Sequence, residues 1–219
     1  MATRQLLVEL LRGYTQQSGH AVAMESVGGV DAAKRVQAGE PFDVVVLASD
    51  AIDKLIATGH VLADSKIDLV LSGVSVAVQA GTPRPDISTE EAVRHAVLAA
   101  KSISYSTGPS GVALVQLFER WGIAAHIQSR LVQAPPGVPV GSLVARGDVA
   151  LGFQQLSELI HQEGIEVVGP LPPAIQITTT FSGGVCAGSG HAQAVRALLE
   201  FMASPQAEAA KRRQGMLPI

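Results

Sequence analysis

Three turns concentrate the hydroxyls and glycines that can hold an anion: Gly28-Gly29-Val30-Asp31, Ser49-Asp50 and Ser106-Thr107-Gly108-Pro109-Ser110-Gly111. Each precedes a run of helical period. The first turn of a helix leaves its N–H groups unpaired and carries the positive end of the helix dipole, so such a turn attracts negative charge. Glycine lets the backbone approach a ligand closely, and serine or threonine adds a donor. The third turn is the most specific, with Ser106, Thr107 and Ser110 and no charged side chain. A fourth candidate is Ala134-Pro135-Pro136-Gly137-Val138-Pro139-Val140, a rigid loop before another helix start. A fifth is Gln154-Gln155, two amides placed directly after the strand Leu151-Gly152-Phe153. The candidate ligand residues are therefore Gly28, Gly29, Val30, Ser49, Ser106, Thr107, Gly108, Ser110, Gly111, Val138, Gln154 and Gln155. Each turn read alone is also an ordinary capped helix start; their succession carries the argument.

Catalytic constellations are absent from the pattern. The six histidines are scattered with no pair at i, i+4, and Cys186 is single and sits in an apolar run, so neither a metal site nor a disulfide is expected. No nucleophile elbow, phosphate loop or dinucleotide fingerprint occurs. No cofactor is expected. Asp31, Asp50 and Glu25 are the carboxylates that can be placed near the ligand, and each is equally a cap or surface group.

The elements that must position these turns follow from hydrophobic period. Leu6, Leu7, Leu10, Leu11 and Tyr14 form one stripe of a helix over residues 2–18, ended by Ser18-Gly19. The pattern then predicts a strand over His20–Val27, a helix from Asp31 to Ala38, a buried strand over Phe42–Ala48 and a helix from Ala51 to Thr58. That order implies an α/β fold with mainly parallel sheets and right-handed crossovers. Further βα units follow between long strands near 74–80 and 177–187. The last helix, His191 to Gly215, is interrupted near Ser204-Pro205. Two crossings of the chain predict two lobes, residues 1–76 plus 180–219 and residues 77–179, with a ligand cleft between them.

The net charge of −3 and the scattered Lys and Arg give no surface for nucleic acid. No stretch of 18 apolar residues occurs, so no membrane span is expected. Met1-Ala2-Thr3-Arg4-Gln5-Leu6-Leu7 lacks the form of a signal peptide. The sequence as it stands reads as cytoplasmic, or as periplasmic if an upstream leader was removed.

Four stretches resemble a known family: Val36-Gln37-Ala38-Gly39-Glu40-Pro41-Phe42-Asp43-Val44-Val45-Val46-Leu47-Ala48-Ser49-Asp50, Pro109-Ser110-Gly111, Ala145-Arg146-Gly147-Asp148-Val149-Ala150-Leu151-Gly152 and Ser204-Pro205-Gln206-Ala207. They resemble the molybdate-binding proteins of ABC importers, over nearly the whole length. The resemblance implies a two-lobed type 2 periplasmic-binding-protein fold, a small anionic ligand and an ABC permease as partner. It also implies that the first strand of lobe one is missing from this chain, because helix one begins at Met1-Ala2-Thr3. That family holds a tetrahedral oxyanion with serine hydroxyls and helix N–H groups. Ser110 matches such a position; the Gly28-Gly29 turn has no hydroxyl where the family has one, and Gln154-Gln155 stand near a family tyrosine. Some enzymes similar to this family act on small polycarboxylates, aconitate isomerase among them. The wider Gly28-Gly29 turn, with Arg4 and Gln154-Gln155 as carboxylate partners, fits that alternative. The expected function is capture of a small oxyanion or organic carboxylate, with proton transfer on a polycarboxylate as the alternative.

Overall fold

A computed structural model describes all 219 residues. In chain order the elements are α1 (Arg4–Ser18), α2 (Gly29–Gln37), β1 (Val44–Ala48), α3 (Ser49–Ala57), β2 (Ile67–Gln79), α4 (Glu90–Ala99), β3 (Ile103–Tyr105), α5 (Pro109–Arg120), α6 (Ala124–Ile127) and β4 (Leu131–Gln133). There follow α7 (Val140–Ala145), β5 (Leu151–Gln155), α8 (Leu156–Leu159), β6 (Ile165–Pro170), β7 (Thr178–Val185), α9 (Ala192–Ala203), α10 (Glu208–Arg213) and β8 (Leu217–Pro218). The chain forms two compact units, Met1–Ser72 with Thr179–Ile219, and Gly73–Thr178. It passes from one to the other inside β2 and at the start of β7.

In the first unit β1 pairs antiparallel with β7, and β8 pairs with the first half of β2. The alternation of β1 divides its side chains between two cores. Val45 and Leu47 pack with Val36 of α2 and with Ile52 and Leu55 of α3. Val44 and Val46 pack against the cluster of Leu6, Leu10 and Tyr14 of α1 with Val195, Leu198 and Leu199 of α9. Each of these large side chains contributes about 1.5–3 kcal/mol when fully buried. Leu6, Leu10 and Tyr14 stand four residues apart, which is why α1 presents one apolar stripe. It stops at Gly19, whose φ of 74° only glycine adopts readily and whose N–H reaches the Thr15 carbonyl at 3.0 Å. A β-carbon on Gly183 of β7 would stand 2.3 Å from Leu199, so α9 lies on a bare stretch of that strand.

The expected strand His20–Val27 is not part of the sheet. The segment is extended and its burial alternates from Ala21 to Glu25, yet its backbone pairs with no neighbouring strand. Alternation reports which side chains face the core; a strand also needs a partner edge. The helix after it starts at Gly29 rather than Asp31. Gly28 occupies the cap position, and Asp31 lies in the first turn, where its charge suits the dipole without a capping bond.

In the second unit β3 pairs parallel with both β4 and β5, and β2 pairs antiparallel with β5 and β6, so the sheet is mixed. Val74, Val76 and Val78 of β2 form its core with Val93, Val97, Ile103, Leu114, Phe118 and Phe153. Thr89 caps α4 by accepting the Ala92 N–H at 3.1 Å, as its position before Glu90-Glu91 suggests. Because β3, β4 and β5 run in one direction, their C-terminal ends lie side by side. Each end feeds a turn and a helix start, which is where open α/β sheets hold ligands.

Candidate functional site

In the second unit the turn after β3 opens α5. Gly108 is its extended cap residue and Pro109 its first helical residue, a position that needs no N–H. Gly111 and Val112 both donate to the Gly108 carbonyl, at 3.0 and 3.2 Å, whereas the Ser110 N–H meets no backbone acceptor. Ser110 is 5% exposed, and its hydroxyl lies 3.5 Å from that of Ser106. A β-carbon on Gly111 would fall 1.9 Å from the Ser106 carbonyl oxygen. The loop therefore folds back onto the first turn of α5, and only glycine admits it. Thr107 is exposed.

The turn after β4 opens α7 from Pro139. Val138, a candidate ligand residue, spends its N–H on the Pro135 carbonyl at 2.9 Å, closing the proline turn. At the helix start neither the Val140 nor the Gly141 N–H meets a backbone acceptor. Gln154 and Gln155, expected directly after the strand, are instead the last residues of β5, buried to 3% and 4% exposure. Gln154 Oε1 accepts the Gly141 N–H at 3.1 Å, tying β5 to the first turn of α7. The Gln154 amide also favours the charged form of the Glu158 carboxyl on α8. Burial pushes the Glu158 carboxyl above its ordinary range, against the smaller opposing effects of a positive charge and of the Gln154 amide. Ser157 beside it is buried with a hydroxyl that has no protein partner, a costly arrangement in a closed core. Ser157 and Glu158 were not foreseen. Their only mark in the sequence is Gln-Gln-Leu-Ser-Glu, polar residues at the exit of an apolar strand.

In the first unit Gly28, Gly29 and Val30 begin α2, and the N–H groups of Gly29 and Val30 meet no backbone acceptor. Ser49 begins α3 directly after β1 and is half-buried. Helices α2 and α3 pack against each other and against β1, and a β-carbon on Gly29 would stand 3.7 Å from Leu47, two residues before Ser49. The first unit thus sets Gly29 against the end of β1, just before Ser49, and the second brings Ser106–Gly111 to the strand ends that carry Gln154 and Gln155.

The expected carboxylates are otherwise engaged. Glu25 pairs with Arg35 at 2.7 Å, and the same guanidinium holds Glu40 and lies over the Phe42 ring, 4.8 Å from its centre. Asp50 pairs with Lys54 across one helical turn. Asp31 and Arg4 are exposed. No three His, Cys, Asp or Glu side chains come together in a way that could hold a metal. Cys186 is buried, and burial followed by the Asp43 charge pushes its thiol up to about 11, far from a reactive thiolate.

No helix is long and apolar enough to cross a membrane. Residues 1–217 match the model of a family described as bacterial extracellular solute-binding protein. A protein named aconitate isomerase, from Pseudomonas sp, is 41% identical over 186 residues, 84% of this chain and 71% of its own length. Among solved structures, the periplasmic molybdate-binding protein of Azotobacter vinelandii superimposes with a TM-score of 0.81 at 21% identity, covering 100% of this chain and 96% of that one. The sulfate-binding protein SubI of Mycobacterium tuberculosis does so with 0.77 at 18% identity, covering 100% and 83%. At such identities these two share the fold and nothing finer follows. With its family model matched over nearly the whole length, the chain belongs to the bacterial extracellular solute-binding proteins.

Proposed function

We propose that the protein captures a small organic polycarboxylate on uncharged donors. The observation that carries this reading is the turn after β3: a buried Ser110 hydroxyl and a Ser110 N–H with no backbone acceptor, at a helix start free of charged side chains. Backbone amides and hydroxyls suit a carboxylate because they bind it without a competing cation. Gly28–Val30 and Ser49 of the first unit offer the same chemistry. Gly28-Gly29 adds no hydroxyl there, which leaves room for a ligand larger than a tetrahedral oxyanion. The family supports two finer points, delivery of the ligand to a membrane permease and a place outside the cytoplasm.

Thermal melting against molybdate, tungstate, sulfate, citrate and aconitate tests the reading. A true ligand at a hundredfold excess over its Kd adds about 2.7 kcal/mol to the folded state. Citrate or aconitate should raise the melting temperature. A shift with molybdate and none with the carboxylates would overturn the assignment.

A second reading has its own support in the 41% identity to a protein named aconitate isomerase. Such a reaction removes a proton from one carbon of the substrate, shifts the double bond, and returns a proton two carbons away. The group that fits this task is Glu158, a half-buried carboxyl whose proton affinity burial has raised. Proton NMR of aconitate with the protein in D2O tests it. Isomerisation with deuterium entering the product, lost in Glu158→Gln while binding persists, is the expected result for an enzyme. Binding with no exchange leaves the protein as a capture device.

A further inference from the structure

Helix α10 ends in three cations, Lys211, Arg212 and Arg213, whose charge suits the C-terminal end of the helix dipole. Arg212 and Arg213 reach solvent, whereas Lys211 is 1% exposed and is the one charged side chain that the fold buries. Its ammonium donates to no acceptor and belongs to no ion pair. The segment around it is part of the apolar core of the first unit, where Ala207, Ala210 and Met216 are buried with Leu6 of α1 and Val70 of β2. The charged groups on the neighbouring elements are engaged elsewhere. Glu9 of α1 accepts from Arg213 at 3.1 Å and from Gln214 at 3.0 Å, and Arg4 and Arg12 of α1 are exposed. Asp68 of β2 accepts from Ser182. Strand β8 and the turn Pro205–Ala207 carry no charged side chain. Glu208, one turn before Lys211 on α10, stands 3.9 Å from Arg212. Burial therefore pushes the Lys211 ammonium below its ordinary range, and the Glu208 charge restores only part of that loss.

The segment that carries Lys211 is lightly held. Strand β8 joins β2 through two residue pairs, Val70 with Pro218 and Leu71 with Leu217, and Leu217 and Ile219 are exposed. Met216 is the buried anchor between α10 and β8, and its N–H donates to the Lys211 carbonyl at 2.9 Å, so the two residues move together. An ammonium without an acceptor in an apolar core is costly, and local opening hydrates it. The closed form therefore favours the neutral amine. It gains as pH rises from the lowered Lys211 value to 10.5, and that gain is lost as pH falls back through the lowered value. Glu9 adds a step in the same direction. Arg213 and Gln214 hold its carboxyl below 4.5, so its grip on α10 is present above 4.5 and lost as pH falls through the lowered value.

We infer that residues 208–219 form a pH-graded clasp on the first unit, closed most firmly in alkali, loosened when Lys211 takes up its proton and again when Glu9 loses its charge. NMR of 13C-labelled methionine methyl groups tests it, because these signals persist at high pH. Met216 reports the clasp, and Met202, buried on α9, reports the core of the same unit. Between pH 11 and pH 5 the Met216 methyl should move toward the position of a solvated methionine while Met202 stays in place. The ratio of open to closed clasp should rise roughly tenfold for each pH interval over which the closed amine resists its proton. Lys211→Leu should hold the Met216 signal at its alkaline position throughout, and Lys211→Arg, which keeps its charge, should hold it at the open position. A second movement below pH 4.5 should be missing from Glu9→Gln. A Met216 signal that does not respond to pH, or that responds equally in Lys211→Leu, overturns the inference. So does movement of Met202 together with Met216, which makes the event unfolding of the whole unit. A lower movement that persists in Glu9→Gln overturns the second step.

Discussion

Gly111→Ala sets two effects of opposite sign against each other. Gly111 is the third residue of α5 and does not have a positive φ, so helix propensity alone favours alanine by up to about 1 kcal/mol. Against this stands the 1.9 Å separation between an added β-carbon and the Ser106 carbonyl oxygen, with the Ser106 carbonyl carbon at 2.9 Å and Tyr105 at 3.1 Å. Real β-carbons essentially never come within 3.0 Å, so the Ser106 peptide must move by about 1.1 Å, the difference 3.0 − 1.9. It has little freedom to do so. The adjoining Tyr105 carbonyl accepts the Ala134 N–H at 2.9 Å, and β3 is held between β4 and β5. Overpacking of a closed site costs about 1–3 kcal/mol, and a clash with backbone belongs at the upper end. The net expectation is a loss of roughly 2 kcal/mol, which lowers the melting temperature of a chain this size by about 4–8 °C.

The same displacement moves the hydroxyls of Ser106 and Ser110. If it removes one charge-assisted bond to the ligand, worth about 1.5–3 kcal/mol, the Kd rises roughly ten- to hundredfold. Calorimetric melting and titration with citrate or aconitate measure both quantities. Gly29→Ala is the companion variant, because its β-carbon would stand an ordinary 3.7 Å from Leu47. Its melting temperature should stay level or rise slightly. A Gly111→Ala protein that melts at or above the parent and binds equally well refutes the argument from the close approach.

Replacing Gln154 by leucine leaves the Gly141 N–H without its acceptor, and chemical denaturation should show a loss of about 1–3 kcal/mol together with weaker ligand binding. Burial raises the Glu158 carboxyl above its ordinary 4.5, so above that pH the folded chain keeps a proton that the unfolded chain has released. Stability should therefore fall as pH rises from 4.5 through the raised value, and Glu158→Gln should flatten that fall in melts taken across the window. Glu9 behaves in the opposite sense: the hydrogen bonds from Arg213 and Gln214 hold its carboxyl below 4.5, so its contribution is present above 4.5 and is lost as pH falls through the lowered value. Glu9→Gln should make acid melts less steep. Thr89→Ala removes the acceptor of the Ala92 N–H and should cost about 1 kcal/mol by denaturant titration.

Periodicity located most of the elements because burial repeats with the geometry of the backbone. Leu6, Leu10 and Tyr14 marked α1, and Thr89 followed by Glu90-Glu91 marked the start of α4. Where the reading and the molecule part, the deciding quantity was one that a residue list does not carry. Val22 and Met24 have the alternation of a strand, but pairing is a property of two segments, and the pattern of one says nothing about the other. Strand β2 extends back to Ile67, beyond the expected start at Val74, through Asp68 and Ser72. Asp68 interrupts the apolar run and is accommodated because Ser182 donates to its carboxylate at 2.6 Å.

The candidate site shows the same division between type and environment. Hydroxyls and glycines ahead of a helix start are visible as residue types, so Ser106, Ser110 and Gly111 could be named from their spacing. Glu158 could not, because a glutamate two residues into a short helix is ordinary until its surroundings are known. Burial raises its proton affinity, and the Gln154 amide, which also holds the first turn of α7, opposes that rise. A carboxyl so placed responds to changes at α7 through one shared amide. The Gln154→Leu variant should therefore shift the pH dependence assigned to Glu158 as well as the stability. Its carboxyl should move still higher once the Gln154 amide no longer favours the charged form. An unchanged pH profile in that variant would separate the two residues.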